Sequence, residues 1–161
     1  MQEQSLSFEG ITLSWQKEAV RRFYKDMWDR ADKSLIPKIF HEGFTFRGSL
    51  GPTLVGYDQF AGYVDWVTAT FGQYTTDILA MIEEGNRVSG KMRFHGYHRQ
   101  ELFGVAPSGR HVWWIGMPIF TFEGQKVRDL YVLGDIYGLI DRLKGSLTSH
   151  SAGKPLRCGE T

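Results

Sequence analysis

A single cysteine, Cys158, occurs among 161 residues. It rules out an intramolecular disulfide and suits a reducing compartment, so a cytoplasmic setting is expected. Charge of one sign is also lacking, because 19 Lys and Arg stand against 18 Asp and Glu, a net of +1. A surface so balanced exerts no long-range pull on a phosphate backbone or an anionic bilayer, and neither nucleic acid nor membrane is expected as a partner. No apolar run approaches the roughly 20 residues that cross a bilayer. The polar opening MQEQSLSFEG lacks the apolar stretch of a secretory signal.

Several catalytic patterns are missing as well. There is no Gly-x-Ser-x-Gly turn to present a nucleophilic serine. The stretch GVAPSG, from Gly104 to Gly109, has neither the lysine nor the strand-to-helix context of a phosphate loop. His95 and His98 are three apart on a predicted strand, hence on opposite faces, and no third ligand follows at metal-site spacing. No metal site is expected.

Aromatic rings are plentiful: eleven Phe, seven Tyr and five Trp. So many rings in a small domain fill a core or line a pocket for a flat apolar ligand, and core filling is the first expectation. Their spacing orders the chain. After Ser14, the residues Trp15, Ala19, Phe23, Met27 and Ala31 recur every four positions, which predicts an amphipathic helix. KSLIPKIF predicts a short second helix starting at Pro37. Phe44 to Arg47 is a brief strand, and GPTLVG is an excursion bounded by Gly and Pro. Phe60, Val64, Val67 and Phe71 mark a third helix.

Beyond Phe71 the period changes from helical to alternating. Two strands turn at Glu84–Asn86 and two more at Glu123–Gln125. Pro118 requires an edge, a bulge or a bend in its strand. Residues from Ile136 to Leu143 close as a last helix. Helices first and a meander second predict one α+β domain over residues 14–144, a curved antiparallel sheet wrapped around about three N-terminal helices. Residues 1–13 form a leader that adds a short strand or lies loose. The Ser/Gly-rich segment 145–161 is expected to be disordered.

At this level the chain resembles the SnoaL-like polyketide cyclases of the NTF2-like superfamily. The likeness is carried by AVRRFYKDMWDRAD, IFHEGFTF, GYDQFAGYVDWVTATF, GYHRQELFGVAPSGRHV and GQKVRDLYVLGDIYGLIDRL, spanning about residues 19–143. Its most specific piece is the Gly-x-x-Pro-Ser-Gly-Arg turn at Gly104, Pro107, Ser108, Gly109 and Arg110. The resemblance implies a cone-shaped α+β barrel, often dimeric through its sheet. It also implies cofactor-free ring closure or isomerisation of enolisable, often aromatic, polyketide-like compounds. A small apolar or aromatic carbonyl ligand and a homodimer are the partners it suggests. The same superfamily contains binding and scaffold proteins, so a receptor without catalysis is the alternative.

The resemblance further implies an acid–base Asp in the last strand and an assisting His on its neighbour. Here those places fall on Val132 and Pro118, neither of which moves a proton. Strand alternation then turns Leu130 and Val132 inward as an apolar wall and sends Asp129 and Tyr131 outward. Chemistry has to come from elsewhere. Arg47, where the family carries a polar cavity residue, is a candidate to stabilise an enolate, or else a surface cation in an ion pair. Asp135 is a candidate base at the cavity rim, or the N-cap of the last helix through Tyr137 or Gly138. His98 is a candidate proton shuttle, or a satisfied structural histidine. Tyr63, Trp66 and Trp114 are candidates to contact a flat substrate, with core packing as the plainer role for Trp66 and a dimer face for Trp113.

Overall fold

A computed structural model describes residues 3–145. The expected disordered tail, from residue 146 on, and Cys158 within it lie outside the described residues. The described part of the leader, residues 3–13, forms no strand. It runs beside the sheet edge, where the Leu6 amide donates to the Ile78 carbonyl at 2.8 Å and Lys91 pairs with Glu3 at 2.6 Å.

Ser14 caps the first helix, its hydroxyl accepting from the Lys17 amide at 3.2 Å. That helix, α1, spans Trp15–Arg21, but it continues as a π-helical segment over Arg22–Trp28. The Asp29 amide bonds the Tyr24 carbonyl, and the Asp32 amide bonds that of Met27. These five-residue steps widen the turn, which corrects the expected spacing-four stripe. Trp15 is 51% exposed, and Ala31 lies beyond the helix. The buried face is instead Val20, Phe23, Tyr24, Met27 and Trp28. A π segment of this kind commonly marks a functional position. Here it turns Tyr24 and Trp28 into the interior together with Phe23 and Met27.

A 3₁₀ turn at Lys33–Leu35 leads into α2, Ile36–Ile39, with Pro37 in its first turn as expected. The strand predicted from Phe44 begins earlier, as β1, Phe40–Arg47, and the Gly/Pro excursion contains β2, Thr53–Val55. Helix α3, Gly56–Thr70, buries Phe60, Val64 and Val67. Four long strands follow: β3, Phe71–Glu84; β4, Arg87–His98; β5, His111–Glu123; and β6, Lys126–Gly134. Helix α4, Ile136–Lys144, ends at Gly145, whose φ of 73° is the left-handed conformation glycine favours.

The sheet order is β2-β1-β6-β5-β4-β3. Neighbours are antiparallel except β1 and β6, which run parallel, because β1 enters the sheet beside the last strand and not at the start of the meander. It is a six-stranded open sheet, not a closed barrel. Pro118 sits inside β5 opposite Val132, and the β4–β5 ladder is interrupted between Ser89–Ile119 and Met92–Gly116. The missing amide of Pro118 accounts for the gap. A bulge between Thr121 and Phe122 adds a residue to β6, so Val127 and Leu130 both face inward despite their three-residue spacing.

Helices and sheet close on a core of stacked rings. Phe23 meets Phe40, Phe60 and Phe120 at 5.4, 6.0 and 5.5 Å, while Phe40 stacks on Phe44 at 4.1 Å. Core filling therefore accounts for most of the aromatic content. The Gly104–Arg110 turn joins this body through Arg110, which donates to the Leu143 carbonyl at the end of α4 at 2.9 Å.

Candidate functional site

Between the π segment, α3 and the inward face of β4–β6, the rings leave a small internal pocket of about 20 Å³. Its wall includes Tyr24, Trp28, Phe46, Tyr63, Tyr74, Phe94, Trp114 and Val132, and Gly48 and Ser49 lie at one side. This is far tighter than the roomy cavity expected, because Phe94, Trp114 and Tyr74 pack on one another at 5.3 to 6.4 Å. Two glycines let the wall close. A Cβ at Gly48 would lie 2.6 Å from the Tyr63 hydroxyl, and one at Gly134 would lie 2.4 Å from the Ser49 Cβ.

The polar atoms of the pocket are few and all are weak acids. Trp114 is 1% exposed, and its indole N–H donates to Ser49 Oγ at 3.2 Å. The Tyr24 hydroxyl is buried with no hydrogen-bond partner among the described residues. Burial pushes the phenols of Tyr24, Tyr63 and Tyr74 well above their ordinary value. For Tyr24 and Tyr74 the neighbouring phenol of Tyr63 adds to the rise, whereas a Leu50 backbone group and the Arg47 charge partly offset it for Tyr63. At any physiological pH these groups are neutral hydrogen-bond donors, not bases.

Of the expected substrate-binding residues, Tyr63, Trp114 and Val132 line the pocket. Leu130 faces inward as expected but is buried deeper in the core, outside the pocket wall. Trp66 is 37% exposed on α3, and its ring lies tilted against Tyr63 with centroids 5.8 Å apart. The alternation on β6 holds: Leu130 and Val132 are buried, and Tyr131 is 48% exposed.

The three proposed catalytic residues fall outside the pocket wall. Arg47 follows inward-facing Phe46 at the end of β1 and is half-buried; its guanidinium folds onto the carbonyl of Gly48 at the pocket's side, close enough for its charge to act on the Tyr63 phenol. Asp135 is the N-cap of α4, accepting from the Gly138 amide at 3.0 Å with its side chain about half exposed. Its plainer role is the one the structure shows. His98 is fully buried on the inward face of β4, beside Phe71, and neither of its ring nitrogens has a hydrogen-bond partner among the described residues. Among the described residues no hydrogen bond or ion pair joins any two of these three. Sequence reasoning passed over Tyr24, Tyr74 and Ser49, since only the π segment and the Gly48 and Gly134 contacts place them.

A larger recess of about 290 Å³ lies between α1 and the β5–β6 turn, lined by Trp15, Glu18, Arg22 and Lys38. It holds no buried donor without a partner, so the ring-lined pocket is the better candidate. Among the described residues no helix is long and apolar enough to cross a membrane.

A helix-backed, six-stranded α+β sheet of this order is the NTF2-like architecture. The family model for SnoaL-like polyketide cyclases matches residues 18–143, and the chain belongs to that family. A SnoaL-like polyketide cyclase described from Jannaschia sp. CCS1 superposes with a TM-score of 0.72 at 18% identity, over 91% of this chain and all of that one. AclR from Streptomyces galilaeus, described as a hydroxylase, gives 0.70 at 19% identity over 83% and 87% of the two chains. IdmH from Streptomyces antibioticus, described as a polyketide cyclase, gives 0.70 at 15% identity over 80% and 98%. At such identities the likeness speaks for the fold alone. No curated protein matches the sequence.

Proposed function

We propose that this chain is a cofactor-independent isomerase or cyclase acting by carbonyl polarisation on a small, largely apolar polyketide-like compound. The observation that carries this reading is the Tyr24 hydroxyl, a neutral donor held in an apolar ring-lined pocket with no partner of its own. A carbonyl oxygen placed there accepts its proton in a hydrogen bond. As an enolate forms and negative charge grows on that oxygen, the bond strengthens in surroundings that screen it poorly. Trp114 and Phe94 supply flat apolar walls for an aryl group.

The pocket wall contains no carboxylate and no imidazole. The role left to it is stabilising an enolate oxygen, which suits carbon acids between two carbonyls, where the proton is already labile. His98 is the nearest reading for a base, since its buried nitrogens are unsatisfied, and it enters only if ligand binding opens the end of β4. Opening is required in any case, because 20 Å³ holds about one water and no substrate. The chain also pairs with a second copy through its outward sheet face, where Met117, Ile119, Tyr131 and Leu133 are 46 to 68% exposed. A cytoplasmic location accompanies this reading.

A second reading has its own support. The narrow ring-lined pocket and the Val132 wall suit a receptor for flat carbonyl compounds with no catalysis. Solvent-deuterium incorporation into aryl 1,3-diketones, followed by NMR, separates the two. Under the enzyme reading the protein accelerates exchange and Tyr24→Phe slows it about 100-fold, the usual loss for one donor to a developing oxyanion. Binding without accelerated exchange leaves the receptor.

A further inference from the structure

Outside the pocket, the outward face of β3–β5 carries a second group of titratable side chains that the proposed chemistry does not use. The Asp77 carboxylate lies 3.2 Å from His95 Nε2, and His95 Nδ1 lies 3.0 Å from His111 Nε2. Arg93 anchors Asp77, with its Nε and Nη2 donating to the same carboxylate oxygen at 3.0 and 2.9 Å. His95 stands on β4 and His111 on β5, brought together diagonally by the pairs His95–Trp113 and Tyr97–His111. The Tyr97 ring meets His111 edge-on at 5.2 Å. Glu3 lies nearby but is tied to Lys91.

From this geometry we infer a binding site for a divalent late transition cation such as zinc, held by His95 Nδ1 and His111 Nε2 and oriented by Asp77. An aspartate accepting from His95 Nε2–H fixes the tautomer in which Nδ1 carries the lone pair, the second-shell arrangement of metal-bound histidines. Two nitrogens at about 2.05 Å from a tetrahedral zinc lie about 3.4 Å apart. The observed 3.0 Å has to open by a few tenths of an ångström, and both rings have to turn from facing each other so that their lone pairs converge on the metal, with the His111 proton moving to its Nδ1. Among the described residues no group of three or more His, Cys, Asp or Glu is placed to hold a metal ion. The remaining positions fall to water, and the site is a labile one that prefers imidazole-seeking metals over magnesium or calcium.

The test is a zinc titration of the full chain, followed through the imidazole ¹⁵N resonances. Zinc is expected to move His95 Nδ1 and His111 Nε2 together, with affinity rising through the histidine titration range. His95→Gln and His111→Gln should each weaken binding at least about 10-fold, and Asp77→Asn by about 10- to 100-fold. Asp77→Asn should also shift the metal-free His95 tautomer signature, which loss of a merely structural contact would leave unchanged. Shifts confined to His41, His150 or Cys158, or unchanged affinity in both glutamine variants, would overturn the assignment. Metal-free spectra establish that each variant is folded.

Discussion

Replacing Tyr24 by phenylalanine removes a single oxygen, yet it separates a functional hydroxyl from a structural one by sign. Tyr24 is 2% exposed and its ring packs on Phe23, Phe94 and Phe120, contacts that phenylalanine keeps. A buried hydroxyl without a partner costs about 1–3 kcal/mol relative to one that is hydrogen-bonded or absent. The small void left behind takes back part of this gain. The expected balance is a stabilisation of about 1 kcal/mol, or about 2–4 °C in the thermal midpoint for a chain of this length. Urea unfolding followed by tryptophan fluorescence should show the midpoint rising with an unchanged slope. A gain in stability paired with slower exchange chemistry is the signature of a polar group kept for a ligand. A midpoint falling by a similar amount would show that the hydroxyl already has a partner in solution, and the argument for a poised donor would fail.

Val132→Asp should destabilise by a few kcal/mol, because the side chain is 5% exposed beside Phe94 and Trp114 and a carboxylate there is desolvated without a partner; an unchanged urea midpoint would show that the site is wet. Asp135→Ala should cost about 1 kcal/mol as a lost N-cap and leave deuterium exchange untouched, so a lost rate with intact stability would restore its catalytic role. Asp77 is held down to about 2 from an ordinary 3.8, first by its His95 hydrogen bond and then by Arg93. A depressed carboxylate stabilises the fold above its unfolded value, so about 1 kcal/mol, after discounting for partial exposure, should be lost as pH falls from about 4 to about 2. Asp77→Asn should flatten that part of the acid-unfolding curve. Leu133→Asp, on the outward face where Leu133 is 68% exposed, should convert a dimer to a monomer by light scattering without changing the monomer's thermal midpoint.

Strand pattern and turn chemistry were legible from the residues because they are local. Alternation on β6 put Val132 inside and Tyr131 outside, and Gly85 and Gly124 marked both hairpins with positive φ. The Trp114 and Trp113 faces followed from the same rule. The π segment was not legible, since a spacing of four reads equally as a regular helix, and with it Tyr24 was lost. The parallel β1–β6 pairing was hidden too, because it joins residues about 84 apart, as in the contact of Thr45 with Asp129. The setting of Arg47 was hidden for a simpler reason. A four-residue strand read in isolation gives no face, whereas β1 as formed buries Phe40, Phe44 and Phe46 and leaves the Arg47 guanidinium on the Gly48 carbonyl. Pocket size depends on how Tyr74, Phe94 and Trp114 interlock, which no periodicity records.

The most direct test of the account is a titration of the protein with an aryl 1,3-diketone, read at the ¹³Cζ resonances of its seven tyrosines. The Tyr24 resonance should move first and most, with Tyr63 and Tyr74 following, and Tyr24→Phe should weaken binding of the enol. Shifts confined to exposed rings such as Tyr97, Tyr131 and Tyr137, with Tyr24 unmoved at saturation, would place the ligand outside the pocket and contradict it.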